Sequence, residues 1–335
     1  SLQMSDAPTP NEDPIDPRSA DDPARAARMA AWAEIPAPLA VFNGAVPPAP
    51  AWFGAALAHA PERSFTDVGG TQIETLTWGE RGKPGLLLMH GNGANADWWS
   101  FIAPFFAADY RVVAFSWSGM GRSDHRETYG FELFVDELIA VAETAGAFDA
   151  GKPLMVGHSF GGFLMMATVQ RAGTRFKGAV IADTPFSEPD DPHRHRPPQR
   201  SGSAHRPNPT LAAALARFRL APPQGCENPY IADYIARHSL RETPEGWVWR
   251  FDPMIFGRLN VDDTFDLLSN PSCPVALVWG DKSFLMPPHR VERILARLPA
   301  GSPGIAIPDA EHHVMIDQPL AFVAALRGLF AGWPR

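Results

Sequence analysis

The sequence is poor in cysteine and carries no excess of positive charge, and each absence excludes a class of protein. Cys226 and Cys273 are its only cysteines in 335 residues, too few for a disulfide framework and typical of a reducing compartment. With 29 basic and 37 acidic side chains, the formal charge is −8. Broad nucleic-acid binding requires a basic surface, so we expect no nucleic-acid partner.

Long apolar runs are also missing. Stretches such as residues 86–89 and 163–166 are far shorter than the roughly 20 apolar residues that span a bilayer. The first residues lack the apolar stretch of a secretory signal, so we expect a cytoplasmic protein without a membrane partner. Apolar residues nevertheless make up 45% of the chain and charged residues 20%, the composition of a globular protein with a full core.

Residues 1–60 form an extension of different texture. Residues 1–23 are rich in proline and aspartate and contain almost no large apolar group, a composition that predicts disorder. Residues 24–34 predict a short amphipathic helix. Pro47, Pro48 and Pro50 predict a linker.

From residue 64 onward, short apolar segments bounded by glycine, proline or charged residues alternate with helix-length stretches. This alternation predicts an α/β fold with a mostly parallel, eight-stranded sheet that helices cover on both faces. Gly69-Gly70 predicts a hairpin between the first two strands. The predicted strands are residues 64–68, 71–78, 85–90, 111–117, 153–157, 176–182, 273–280 and 304–308.

The alternation is interrupted between residues 186 and 268. This segment opens with a polar, proline-rich stretch and continues with a few short helical patterns. We expect a mainly helical cap, inserted into a core formed by residues 61–185 and 269–335, with a mobile entry loop at residues 190–209. Its position after a core strand puts it near the carboxyl ends of the strands, where ligands bind in open α/β sheets.

The strongest chemical signal is Gly157-His158-Ser159-Phe160-Gly161, between a predicted buried strand and a predicted helix. A serine on such a sharp turn has a strained backbone and an exposed Oγ, and the glycines prevent collisions with the neighbouring strand or helix. The N-terminus of the following helix also favours developing negative charge. The pattern therefore predicts Ser159 as a nucleophile.

A nucleophilic serine needs a general base, because its hydroxyl is hardly ionised at neutral pH. The sequence has eleven histidines, most of them in polar, linker-like or cap segments. His90 is expected to shape the glycine-rich loop that follows it, and His158 to point away from the nucleophile. The candidates that remain are His312 and His313, between the last predicted strand and the terminal helix.

The order of these motifs resembles that of the α/β-hydrolase superfamily over residues 64–185 and 269–335. The chain has the loop His90-Gly91-Asn92-Gly93 after the third strand, the elbow at Ser159 and a late histidine. The resemblance implies that the backbone N–H groups of Asn92 and Phe160 form an oxyanion hole. Two such donors stabilise a tetrahedral oxyanion by several kcal/mol.

The family's late histidine opens the pattern H-x-x-x-x-[DE]-x-P, and His312, Asp317 and Pro319 match that spacing. The resemblance therefore implies that His312 is the base. His313 stays an alternative, because Glu311 replaces the glycine that the family usually has at this point.

Two tryptophans follow the oxyanion loop. Trp98 and Trp99 either line the bottom of an apolar substrate pocket or pack in the core at the start of a helix.

Two positions depart from the family by carrying serine in place of aspartate. Ser116 opens residues 116–124, which resemble the family's D-x-x-G-x-G-x-S turn, and we interpret this turn as structural. Ser283 stands where the family's G-x-x-D pattern after the seventh strand places the triad acid. A serine cannot supply the fixed negative charge that stabilises an imidazolium.

The acid must then come from another position. Asp183 follows the strand before the insertion, at the same edge of the sheet, and some α/β-hydrolases take their acid from this strand. Asp183 is therefore the predicted acid. The alternative is a structural role, in which Asp183 hydrogen-bonds the backbone of the turn before Pro185. Asp281, one residue past Gly280, is the alternative acid.

The leading interpretation is a serine hydrolase that cleaves an ester-like small-molecule substrate through an acyl-enzyme. Haloalkane dehalogenases and epoxide hydrolases use an aspartate nucleophile, whereas position 159 is serine, which suits attack on acyl carbon. The same residues would also serve C–C hydrolysis of a diketone-like substrate, perhydrolysis or thioester cleavage, and a non-catalytic ligand-binding protein is a further alternative. We expect no cofactor and no metal, because His193 and His195 lack carboxylate or cysteine partners at ligand spacing.

Overall fold

The computed structural model describes residues 33–191, 205–255 and 264–333, together with residues 27, 30, 31 and 259. The predicted disorder of residues 1–23 lies outside the described residues, as do much of the predicted helix at residues 24–34 and residues 192–204 of the predicted entry loop. Within the described part of the chain, no helix is long and apolar enough to cross a membrane.

Ten strands are found among the described residues, and eight of them form one sheet. In chain order they are β1 Glu62–Val68, β2 Thr71–Trp78, β3 Gly85–Met89, β4 Arg111–Phe115, β5 Leu154–His158, β6 Gly178–Ala182, β7 Leu240–Thr243, β8 Gly246–Trp249, β9 Val275–Gly280 and β10 Gly304–Ile307. The sheet has the order β1-β2-β4-β3-β5-β6-β9-β10. Within this sheet, only the pairs β1–β2 and β2–β4 are antiparallel, so the predicted mostly parallel, eight-stranded sheet is confirmed.

Helices cover both faces of this sheet. The α-helices among the described residues from 35 onward are α1 Ala51–Ala58, α2 Phe131–Thr144, α3 Phe160–Ala172, α4 Leu211–Ala216, α5 Pro229–His238, α6 Pro288–Arg297, α7 Val314–Asp317 and α8 Pro319–Gly332. Helix α8 lies on one side of the sheet, and α2, α3 and α6 lie on the other. Successive side chains of β3 point to opposite faces, as strand geometry requires. Leu86 and Leu88 enter a core shared with α8, whereas Leu87 and Met89 enter a second core shared with α2, α3 and α6.

The longest described segment of the insertion, residues 205–255, contains α4, α5 and the antiparallel hairpin β7–β8. Its end is bonded to the core, because Gly121 N–H donates to Arg250 O at 2.9 Å and Asp252 N–H donates to Gly119 O at 2.6 Å. A side-chain bond of 2.8 Å from Tyr129 Oη to Asp252 Oδ2 adds to this contact.

The later part of the N-terminal extension packs against the same insertion. Residues 45–50, which include the predicted linker, have no regular structure and lead into α1. Phe53 of α1 is buried and its ring centroid lies 4.9 Å from that of Tyr230. Arg237 also donates to Gly44 O at 2.6 Å. Residues 35–58 thus belong to the folded unit.

Ser116 explains how the turn after β4 is held without the family's aspartate. Its Oγ donates to Glu74 Oε1 of the neighbouring strand β2 at 2.8 Å and accepts the N–H of Ala96 at 2.9 Å. Glu74 is buried and also pairs with Arg63, at 2.5 Å. The carboxylate at this turn therefore comes from β2.

Candidate active site

Ser159 lies on a sharp turn between β5 and α3, with φ 53° and ψ −124°, a backbone conformation that costs energy for a residue other than glycine. The glycines around it leave room for close backbone packing. A Cβ added to Gly161 would lie 2.5 Å from His90 O, and one added to Gly162 would lie 2.0 Å from Thr184 Oγ1. These approaches explain why the sequence needs glycine at both positions.

His312 lies between β10 and α7 and faces the serine. Its Nε2 is 2.9 Å from Ser159 Oγ, within the distance expected between a nucleophile and its base. Asp317, the acidic member of the H-x-x-x-x-[DE]-x-P pattern, accepts the N–H of Glu311 at 2.8 Å. That bond closes the loop that carries His312, and burial raises the pKa of Asp317 to about 7.

Asp183, at the end of β6, contacts the other side of the His312 ring. Its Oδ1 is 2.6 Å from His312 Nδ1, and the carboxylate is fully buried. Asp183 has φ 49°, a left-handed conformation in which aspartate is among the more tolerated residues. The alternative acid, Asp281, is exposed and instead accepts the N–H of Asp309 at 2.8 Å.

Two further donors hold the Asp183 carboxylate, and sequence reasoning did not predict either of them. Ser283 Oγ donates to Oδ1 at 2.7 Å, and the N–H of Gly280 donates to Oδ2 at 2.8 Å. The signal for Ser283 was its place at the family's acid position. The hydrogen bond from Ser283 to Asp183 forms because β6 and β9 are neighbours in the sheet. The sequence around Ser283 alone does not predict that pairing.

The predicted oxyanion loop passes directly beside Ser159. A Cβ added to Gly91 would lie 3.1 Å from Ser159 Cβ, so the loop and Ser159 are in close contact one residue before Asn92. His90 braces this loop as expected, because its Nδ1 lies 2.6 Å from Gly91 O and its Nε2 accepts the N–H of Trp117 at 3.1 Å. Burial lowers the pKa of His90 to about 4, so its ring is neutral at pH 7. Phe160, the second predicted donor, is the first residue of α3.

A narrow cleft opens beside this loop. The two predicted pocket residues occupy different places: Trp98 lines the cleft, whereas Trp99 is fully buried, 6.4 Å from the ring of Phe322. The core interpretation therefore applies to Trp99. The cleft is lined by Gly93, Trp98, Phe218, Arg219, Leu220, Ala221, Ser239, Trp249 and Phe251.

His158 lies closer to the site than the sequence analysis expected, whereas His313, the alternative base, has a different partner. His158 does not leave the site, because its Nε2 is 2.8 Å from His312 O and its ring centroid is 4.9 Å from that of His312. His313 does not contact Ser159; its Nε2 is 2.8 Å from Ala221 O in the insertion. Burial lowers the pKa of His158 to about 3 and that of His313 well below its ordinary value, so both rings are neutral at pH 7.

Comparison with known proteins assigns the family. Residues 86–326 match the alpha/beta hydrolase family, and the chain belongs to that family. Epoxide hydrolase 4 of Homo sapiens is 31% identical over 98 residues, which are 28% of this chain and 26% of that protein. The chain thus aligns with about a quarter of the length of this relative.

Two other proteins align over most of the chain. Haloalkane dehalogenase 2 of Mycobacterium tuberculosis is 25% identical over 272 residues, 72% of this chain and 86% of that protein. Among solved structures, the thioesterase domain from the curacin biosynthetic pathway superposes with a TM-score of 0.66 and 24% identity, over 81% of this chain and 99% of that one. The structural similarity is one of fold.

Proposed function

We propose that this protein is a serine hydrolase that cleaves ester-type bonds through an acyl-enzyme on Ser159. The observation that carries the proposal is the unbroken series of hydrogen bonds from Ser159 Oγ to His312 Nε2, at 2.9 Å, and from His312 Nδ1 to Asp183, at 2.6 Å. A nucleophile, a base and a group that orients the base are the parts of a hydrolytic triad.

In the first half of the reaction, Ser159 Oγ attacks the acyl carbon while its proton passes to His312 Nε2. Asp183 stabilises the resulting imidazolium and stays ionised, and the N–H groups of Asn92 and Phe160 stabilise the oxyanion. The imidazolium then gives its proton to the leaving alcohol. In the second half, His312 removes a proton from water while the hydroxide attacks the acyl carbon of the acyl-enzyme. The bond from that carbon to Ser159 Oγ then breaks, the imidazolium returns its proton to Ser159 Oγ, and the carboxylic acid leaves.

Because the proposed nucleophile is a serine, acyl substrates are favoured over the epoxides and haloalkanes that the names of two relatives indicate. Attack on the sp³ carbon of a halide or an epoxide suits a carboxylate nucleophile, whereas position 159 carries a hydroxyl paired with a base. We further propose that residues 186–268 act as a cap, because Phe218, Leu220 and Trp249 of this segment line the cleft.

The test uses p-nitrophenyl acetate and butyrate with wild type and Ser159→Ala. Wild type should release a burst of about one equivalent of p-nitrophenol, and the variant should lose the burst and more than about 10³ of kcat, as triad knockouts do. A fluorophosphonate should label wild type but not Ser159→Ala. Ser302→Ala, a change of a serine outside the site that bonds Pro299 O, should behave as wild type.

Labelling that persists in Ser159→Ala would refute the nucleophile. Labelling of Ser159 without turnover of any ester would instead favour the C–C or thioester alternatives, which a panel of acyl thioesters and vinylogous diketones would then distinguish.

A further inference from the structure

Three histidine rings pack side by side beside the nucleophile. His158, His312 and His313 are 1%, 2% and 3% exposed, and their ring centroids are separated by 4.9 to 5.5 Å. One ring nitrogen of each lies within 4.8 Å of a ring nitrogen of each of the others. The proposed reaction uses only the His312 ring, so the other two need a separate explanation.

The hydrogen bonds of these rings fix which nitrogen carries the proton. His158 Nε2 contacts His312 O and His313 Nε2 contacts Ala221 O, both at 2.8 Å, while His312 Nδ1 contacts Asp183 at 2.6 Å. Carbonyl and carboxylate oxygens accept hydrogen bonds, so each of these nitrogens is the donor. The lone pairs therefore lie on Nδ1 of His158, Nδ1 of His313 and Nε2 of His312.

Imidazoles that bind metal ions have this arrangement, in which the second nitrogen donates to a carbonyl or carboxylate and sets the tautomer. Within the part of the chain that the structure describes, Nδ1 of His158 and Nδ1 of His313 are buried and have no hydrogen-bond partner. Buried polar atoms without a partner are rare, and an ion that is bound only under some conditions is one explanation.

We propose that His158, His312 and His313 bind one divalent transition-metal ion, such as Zn²⁺, Cu²⁺ or Ni²⁺, and that the bound ion inhibits the protein. Imidazole ligands suit these ions, whereas Mg²⁺ and Ca²⁺ prefer oxygen. The ion occupies the lone pair of His312 Nε2, which a general base needs. Ser159 Oγ, 2.9 Å from that nitrogen, lies near enough to be a fourth ligand.

The charge and the size of the site are compatible with such an ion. The Asp183 carboxylate, bonded to His312, supplies a negative charge behind one of the ligands, as in carboxylate–histidine–zinc arrangements. Zn–N bonds are about 2.0–2.1 Å, so the rings have to close on the ion by roughly 1 Å. Binding of the ion at these three rings does not depend on the proposed hydrolysis, whereas its inhibitory effect rests on that proposed function.

Binding is tested on the full chain after treatment with EDTA, by calorimetric titration with ZnCl₂ and by the visible spectrum of the Co²⁺ form. We expect one equivalent of Zn²⁺ and the intense spectrum of tetrahedral Co²⁺. His313→Gln and His158→Gln should each weaken binding by at least about tenfold, the scale of losses at metal sites. His59→Gln, at an exposed histidine, and the double variant His193→Gln/His195→Gln should bind as wild type.

X-ray absorption at the zinc edge of wild type counts the imidazole ligands without any variant, and three are expected. The absence of stoichiometric binding, fewer than three imidazoles, or affinity unchanged in both His313→Gln and His158→Gln would overturn the proposal. Zn²⁺ should also slow fluorophosphonate labelling of Ser159, with recovery on adding EDTA and no effect of Mg²⁺. Because the first measurements follow the metal itself, a failure of the proposed hydrolysis would leave them unchanged.

Discussion

Serine replaces a family aspartate at two places in this molecule, and comparing the two shows how the sheet replaces a lost charge. Ser116, after β4, donates to Glu74 of the adjacent strand β2, and Ser283, after β9, donates to Asp183 of the adjacent strand β6. In both cases the neighbouring strand supplies the carboxylate, and the serine hydroxyl becomes its hydrogen-bond donor. A family position can therefore change residue type while the local charge is kept.

The two carboxylates differ in their cationic partners. Glu74 faces the guanidinium groups of Arg63 and Arg122, at 2.5 and 3.6 Å, which are always charged. Among the described hydrogen-bond partners of Asp183, only the imidazole of His312 can become a cation. It does so when it accepts a proton. The first carboxylate is therefore suited to stabilising a turn, and the second to stabilising a transient charge.

The largest expected effect is that of Asp183→Asn on activity. The fold should persist, but kcat should fall by about two to four orders of magnitude, because His312 loses its orientation and its charge stabilisation. Steady-state ester hydrolysis, with circular dichroism as the control for folding, measures the change. A loss of less than tenfold would contradict the assignment of the acid.

Glu74→Gln should act on stability instead. The glutamine amide lacks the negative charge that faces Arg63 and Arg122. Its loss should lower the free energy of unfolding by about 1–3 kcal/mol. A fully buried ion pair would lose more, but here both arginines are partly exposed. The urea midpoint at constant m value reports it, with the exposed Glu80→Gln as control. If Glu74→Gln lowered kcat per folded molecule tenfold, the proposed difference between Glu74, which acts on stability, and Asp183, which acts on activity, would be contradicted.

Ser283→Ala and Ser116→Ala compare the two hydroxyls directly. Ser283→Ala should reduce kcat by about three- to tenfold, because Asp183 loses one hydrogen bond to a charged acceptor. Ser116→Ala should leave kcat within about twofold and lower stability by about 1 kcal/mol. Equal effects of both variants on kcat would show that Ser283 has no special relation to the site.

Asp281→Asn should have the smallest effect, a change in kcat below about twofold and in stability below about 0.5 kcal/mol. The side chain is exposed, and the amide oxygen of asparagine can still accept the N–H of Asp309. A loss of activity larger than that of Asp183→Asn would reverse the choice of acid.

Local patterns in the sequence were sufficient to predict the sheet. All eight predicted strands are present, because short buried strands between glycines, prolines and charges have a distinct signature. The turn at Ser159 could also be predicted locally, because the five adjacent residues 157–161 carry its pattern. The second hydrogen-bond partners of Asp183, and the position of His158 against His312, depend on which strand ends and loops meet in space, and no run of adjacent residues encodes that proximity.

The backbone bonds between residues 250–252 and the turn at residues 119–121 decide where a chimera can be joined. Substrate preference could be changed by replacing the insertion of this chain with that of a relative. If the second junction of such a graft lay beyond residue 252, these bonds would be lost. With the junction before Arg250, the native pairing to Gly119 and Gly121 is kept. The neighbouring Ser116–Glu74 contact is then undisturbed, and a new cleft can be tested beside an unchanged Ser159 and His312.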